Sequence, residues 1–224
     1  MTGPKPMSAG AAAGLQRLLQ PRNVVRAGER CEFCAVTVAD EHQHVADLEK
    51  RGVMCACRAC YLLFTQAGAG KQRYRSIPDR YRYAPAPNLT DAQWDALQIP
   101  VQMAFFFQNS ALAKYVAFYP SPAGATESLL SLETWAEVLA ANPAFADTAP
   151  DVEALLVQRR PRGGEGFEFF GVPIDACYEL VGLVKLRWKG FDGGQEVWEA
   201  IDVFFDRLRE RATVVGDAAV GDEA

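Results

Sequence analysis

Two Cys-x-x-Cys pairs constrain this chain more than any other feature: Cys31-Glu-Phe-Cys34, then 22 residues, then Cys57-Arg-Ala-Cys60. A CxxC turn can place two sulfurs ~2.3 Å from one metal ion, and two such turns complete a tetrahedron of thiolates. The residues between them predict a hairpin, 44–49 against 52–57, turning at Lys50-Arg51-Gly52. Cys60 then falls in the first turn of a helix over RACYLLFTQ, whose positive N-terminal end favours anionic sulfur. Knuckle, hairpin and helix in that order describe a treble-clef or zinc-ribbon-like unit over residues 26–66. Leu48, Val53, Leu62, Leu63 and Phe64 would give it apolar cover.

A closed set of four thiolates leaves no position for water, so the expected metal is structural Zn2+. A rubredoxin-type iron site uses similar spacing but usually carries glycine after the second cysteine of each knuckle. Here those positions are Ala35 and Tyr61, which disfavours iron. Cys55 could replace Cys57, hydrogen-bond to a thiolate, or be an ordinary half-buried strand cysteine. His42 and His44, the chain's only histidines, lie one strand step apart. They are open to the same three readings: alternate ligand, partner to a thiolate, or solvent-facing hairpin residue.

Charge and cysteine content both break near residue 87. Residues 1–87 carry 13 Lys/Arg against 7 Asp/Glu, and residues 88–224 carry 10 against 21, within a net charge of −5. Five of the six cysteines lie between positions 31 and 60. Two modules are therefore expected. An acidic total makes nucleic acid an improbable partner. No apolar run reaches the ~18–20 residues of a membrane span. The N-terminus has neither the basic start nor the apolar core of a secretory signal, which points to a cytoplasmic protein.

Residues 1–25 are expected to be a disordered tail with one short helix. Residues 67–88 read as a basic connector, in which Lys71, Arg73, Arg75, Arg80 and Arg82 alternate with Tyr74, Tyr81 and Tyr83. Basic residues interleaved with aromatics suit single-stranded nucleic acid. The favoured reading is a strap, with tyrosines docked on the second domain and arginines neutralising it. Residues 89–212 predict an α+β domain of about five strands with packing helices. Its strands are 101–108, 114–119, 152–158, 167–172 and 183–188, the last from its alternation of Val184, Leu186 and Trp188 with charged residues. Its helices are one headed by Thr90, one over 131–141 capped by Ser131, one over 174–182, and one over 194–211 burying Val197, Trp198, Ile201, Phe204, Phe205 and Leu208. Residues 119–127 read as a crossover loop, and 213–224 as a disordered acidic tail.

No catalytic set emerges. There is no histidine outside the cysteine module and no GxSxG. Cys177 falls where a helix would bury it, and Asp175, Glu179, Glu196 and Glu199 read as a solvated acidic surface. The expectation is a non-enzymatic protein.

The strings CEFC…CACRACYLLFT, YRSIPDRY, FYPSPAGATES, DVEALLVQR and VPIDACYELVGLVKLRWKG…GGQEVWEAIDVFF give the chain, over 31–211, a close resemblance to an uncharacterised bacterial family. That family is frequent in actinobacteria, and its genes tend to lie beside those of a high-affinity nickel–iron hydrogenase. The resemblance implies an accessory role in hydrogenase assembly, maturation or electron supply, with a hydrogenase subunit or maturation factor as partner. It brings no catalytic residues to carry over, and composition and spacing say nothing about hydrogenase. A zinc-binding scaffold is the leading expectation, ahead of an iron redox protein and a nucleic-acid binder.

Overall fold

Consecutive aromatic residues at 105, 106 and 107 must point to alternate faces of a strand, so a strand there needs apolar cover on both sides. The fold provides it. A computed structural model describes residues 29–66, 68–70, 73–128, 133–160, 164–190 and 192–216. It is an α+β fold in the order β1 (Gln43–Asp47), β2 (Gly52–Ala56), α1 (Arg58–Leu63), β3 (Tyr74–Ser76), β4 (Arg82–Ala84), α2 (Asp91–Ala96), β5 (Met103–Asn109), β6 (Lys114–Ser121) and β7 (Gly124–Ser128). There follow α3 (Glu133–Ala140), a 3-10 turn (Pro143–Phe145), β8 (Glu153–Arg159), β9 (Phe167–Pro173), α4 (Ile174–Arg187), α5 (Gln195–Arg211) and β10 (Thr213–Val214).

A large sheet runs β10-β4-β9-β8-β5-β6-β7, and a small one runs β2-β1-β3. Every pairing is antiparallel except β10 on β4. Phe105, Phe107, Leu156 and Phe170 of the large sheet pack with Leu180 and Val184 of α4 and Ile201 and Phe205 of α5. The opposite face carries Ala104, Phe106, Leu155 and Phe169 against Trp94, Trp135 and Phe145. Trp135 lies flat on Phe106, with ring centroids 3.6 Å apart. The small sheet stands on the α4 side, where its Ala46 and the following Ile77 join the same buried cluster as α4 and α5.

Several expected elements differ. The described residues hold ten strands in all: the expected hairpin gives β1 and β2, residues 89–212 hold β5 to β9, and β3, β4 and β10 are unexpected, being two- or three-residue strands that leave little hydrophobic pattern. The stretch expected as a connector supplies β3 to the small sheet and β4 to the large one. The loop expected over 119–127 is a hairpin instead: β6 runs on through Pro120 to Ser121, and β7 returns from Gly124, whose φ of 120° suits glycine. The strand expected over 183–188 is the end of α4, with Trp188 as its C-cap. Ile174, Cys177, Val181 and Val184 hold a helical period across Gly182 and are all buried, while Leu186 is exposed. In α5 the expected apolar positions are buried except Trp198, whose indole N–H donates to the Asp192 carbonyl. Thr90 caps α2 with a reciprocal Thr90–Gln93 box. Thr213 and Val214, expected in a disordered tail, pair with Arg82 and Tyr83. The tail and helix expected over 1–25, the Ser131 cap, Lys71 and residues 217–224 lie outside the described residues.

The connector's arginines are spent on carboxylates of the same chain. Arg80 reaches Glu153 and Asp147, Arg82 reaches Asp147, and Arg75 lies 3.7 Å from Asp151. Tyr83 stacks on Phe170 at 4.9 Å between centroids. Arg73 donates to Asp47, whose Oδ1 also accepts the Glu49 and Lys50 N–H groups, tying β3 to the β1–β2 turn. Arg73 and these amides hold the Asp47 carboxyl below its usual value of 3.8. A lowered folded-state pKa contributes stability above the usual value that is lost as pH falls through the folded one. Asp47→Asn, which keeps the amide contacts, is therefore expected to flatten the acid limb of the thermal-midpoint profile and to lower the midpoint at neutral pH. An acid limb unchanged by the substitution would refute this.

Candidate metal centre

The first knuckle is built by its own backbone. Ala35 N–H donates to the Cys31 carbonyl at 2.8 Å, and Cys31 N–H donates to the Val36 carbonyl at 2.8 Å. The turn closes with Ala35 at φ 61°, the left-handed region that favours glycine. Glu32 locks the knuckle to β2: its N–H donates to the Cys55 carbonyl, and its carboxylate accepts the Cys55 N–H, both at 2.9 Å. The second pair begins at Cys57, the N-cap of α1, whose sulfur accepts the Cys60 N–H at 3.5 Å.

The ligand atoms of Cys31, Cys34, Cys57 and Cys60 all lie within 4.8 Å of one another. Cys34 Sγ is 3.7 Å from Cys57 Sγ. Zn–S bonds of ~2.3 Å in a tetrahedron set a sulfur–sulfur edge of ~3.8 Å, so the spacing fits a four-thiolate ion. It does not fit disulfides, and all the cysteines are free. Cys31 is 1% exposed, while Cys34 lies at the surface.

The electrostatics agree with the geometry. Burial pushes the Cys31 thiol up, but the backbone amides of Cys57, Phe33 and Cys34 outweigh it and bring it down to about 6. Burial and the neighbouring Cys57, Cys34 and Cys31 sulfurs push Cys60 up to about 12. Cys34 also sits above its usual value, because hydrogen bonding to Cys31 and burial outweigh the Val36 amide. The donor set thus carries one thiolate readily and resists the next. A divalent cation at its centre supplies the missing positive charge and deprotonates the rest. The four cysteines could hold a metal ion.

His42, His44 and Cys55 form a group of their own, with ligand atoms within 4.8 Å of one another. His44 faces Cys55 across the β1–β2 ladder, and its Nδ1 lies 2.7 Å from Asp175 Oδ2. Burial, then the charges of Glu29, Glu32 and Cys31, raise the Cys55 thiol. Asp175, expected on a solvated acidic face, instead caps this contact from the first turn of α4. Nothing local in the sequence links positions 131 residues apart. Glu179 pairs with Arg207, Glu196 with Lys189, and Glu199 accepts from Gln195. Cys177 is fully buried, and burial keeps its thiol well above the usual value.

Among the described residues, no helix is long and apolar enough to cross a membrane. No curated protein and no solved structure matches the chain. Residues 30–212 match the family of unknown function DUF5947, and the chain belongs to that family.

Proposed function

We propose that this protein is a non-catalytic, zinc-binding accessory or scaffold protein. Cys31, Cys34, Cys57 and Cys60 hold a structural Zn2+ in a treble-clef-like unit. The observation that carries the reading is the clustering of four sulfurs within 4.8 Å of one another, with Cys34 and Cys57 at 3.7 Å. The ion would fix knuckle, hairpin and helix as one body, and the rest of the chain would present that body to a protein partner in the cytoplasm. The partner we infer is a metalloenzyme under assembly, such as a nickel–iron hydrogenase subunit or its maturation factor. That inference rests on the family resemblance alone.

One observation favours a second reading. Ala35 adopts φ 61° without being glycine, so the knuckle directs amides toward sulfur in the manner an iron centre uses. Ala35 in place of glycine therefore does not exclude iron. Elemental analysis of the protein purified from its own host separates the two. One tightly held zinc per four protected thiols is expected. A coloured, iron-loaded chain would move the function to electron transfer, and six freely reactive thiols would end both readings. Affinity capture from a host expressing the hydrogenase tests the partner. Recovery of no hydrogenase subunit or maturation factor would remove that assignment and leave the zinc site standing.

A further inference from the structure

We propose that His42, His44 and Cys55 form a second metal site, separate from the four-cysteine centre. It would take a divalent late first-row ion, ordinarily Zn2+, and leave one coordination position open. The three side chains share one side of the small sheet. His44 and Cys55 are direct partners in the β1–β2 register, and His42 lies two residues before His44. His42 lies just ahead of β1, with its ring against that of His44. The imidazole centroids are 4.7 Å apart at 59°, and the three ligand atoms lie within 4.8 Å of one another.

Both histidines have one nitrogen committed and the other left over. His44 Nδ1 is 2.7 Å from Asp175 Oδ2, the carboxylate–imidazole arrangement that fixes a metal-binding histidine and leaves Nε2 as donor. His42 Nδ1 is 2.9 Å from the Ala39 carbonyl oxygen. Its Nε2 is buried without a hydrogen-bond partner, on a side chain only 6% exposed. An orphaned buried nitrogen costs free energy that a bound ion would recover. The nearest carboxylate, Glu29, stands 3.6 Å from that nitrogen with its own side chain 66% exposed. It can share the fourth position with water.

Two imidazoles and a thiolate suit Zn2+, Co2+ and Ni2+, and do not suit Ca2+ or Mg2+. Three protein ligands with an open position make an exchangeable site, unlike the closed four-thiolate set. Asp175 belongs to α4, so an ion here would also fasten the small sheet to the helix that covers the large one.

The test uses the full chain stripped of metal and reloaded. Two equivalents of Zn2+ or Co2+ are expected in the unmutated protein, and one in the His42→Ala/Cys55→Ser variant. Asp175→Asn should keep both equivalents but release the second at roughly 10–100-fold lower chelator concentration. In the unmutated chain, the second equivalent of Co2+ should shift the imidazole proton resonances of both histidines, a readout that needs no variant to fold. An unmutated chain whose imidazole resonances ignore Co2+ overturns the proposal, as do two equivalents retained by the double variant. The two readings fail separately: where the four cysteines hold zinc, Cys57→Ser unfolds the segment that carries His42, His44 and Cys55 and releases both equivalents. A single equivalent that survives Cys57→Ser and disappears with His42→Ala would overturn the four-cysteine reading and uphold this one.

Discussion

Cys57→Ser is expected to cost the chain its tightly held zinc and to unfold the segment from Arg30 to Gln66. The substitution is chosen because serine is a good N-cap. It can still accept the Cys60 N–H that Cys57 accepts, so α1 keeps its cap while the metal loses a thiolate. The expected effect is large because this segment has little else to hold it. Its buried apolar residues are Cys31, Val45, Ala46 and Ala56, and α1 buries none. Structural zinc supplies roughly 10–16 kcal/mol of apparent binding free energy in small folds, comparable to the ~5–15 kcal/mol that stabilises a whole domain. Limited proteolysis should cut the variant within the segment under conditions in which the unmutated protein resists. A chelator should make the unmutated protein equally sensitive, and added Zn2+ should rescue it but not the variant. A variant with unchanged zinc content and unchanged protease resistance would remove the four-cysteine site from the protein.

The parts of this molecule that could be read from sequence are those whose determinants are local. Cys31 and Cys34 meet because a tight turn brings residues three apart together, and the turn at Lys50-Arg51-Gly52 sets a register that can be read along the chain. The Thr90 cap is legible for the same reason. Where determinants are distant, the sequence is mute. Asp175 meets His44 only because α4 packs over the small sheet, and β3 and β4 are three-residue strands recognisable only by their partners. The end of α4 was ambiguous for a different reason: Val184, Leu186 and Trp188 fit an alternating pattern as well as a helical one. Packing decides it, since Leu180, Val181 and Val184 are buried together against the sheet. Of the candidate residues around the metal, the four cysteines carried their own signal. The roles of His42, His44 and Cys55 depended on a carboxylate from the far end of the chain.

Arg80→Met is expected to destabilise the protein by about 3 kcal/mol, and Arg80→Met/Glu153→Met to recover much of that loss. The Glu153 side chain is 2% exposed. Its carboxylate accepts two bonds from the Arg80 guanidinium, at 2.8 and 2.6 Å, and one from the Ala149 amide at 2.8 Å. Removing the arginine leaves a buried carboxylate with one amide for company, a change that typically costs ~3–5 kcal/mol. The low end applies because the Arg80 side chain is 40% exposed and partly screened. For a chain of this size the thermal midpoint should fall by roughly 6–12 °C. Replacing both partners removes the unpaired charge along with the ion pair, and the apolar side chains keep most of the volume. The pair also fastens the segment that leaves β3 of the small sheet and enters β4 of the large one. Its loss should therefore loosen the link between the sheets while leaving zinc content unchanged, the reverse of the pattern expected for Cys57→Ser. A single variant within about 1 kcal/mol of the unmutated protein would show that the buried Glu153 is accommodated without Arg80 at small cost. A double variant no more stable than the single would show that the two residues are not a coupled pair, because a buried ion pair couples its members and independent sites simply add.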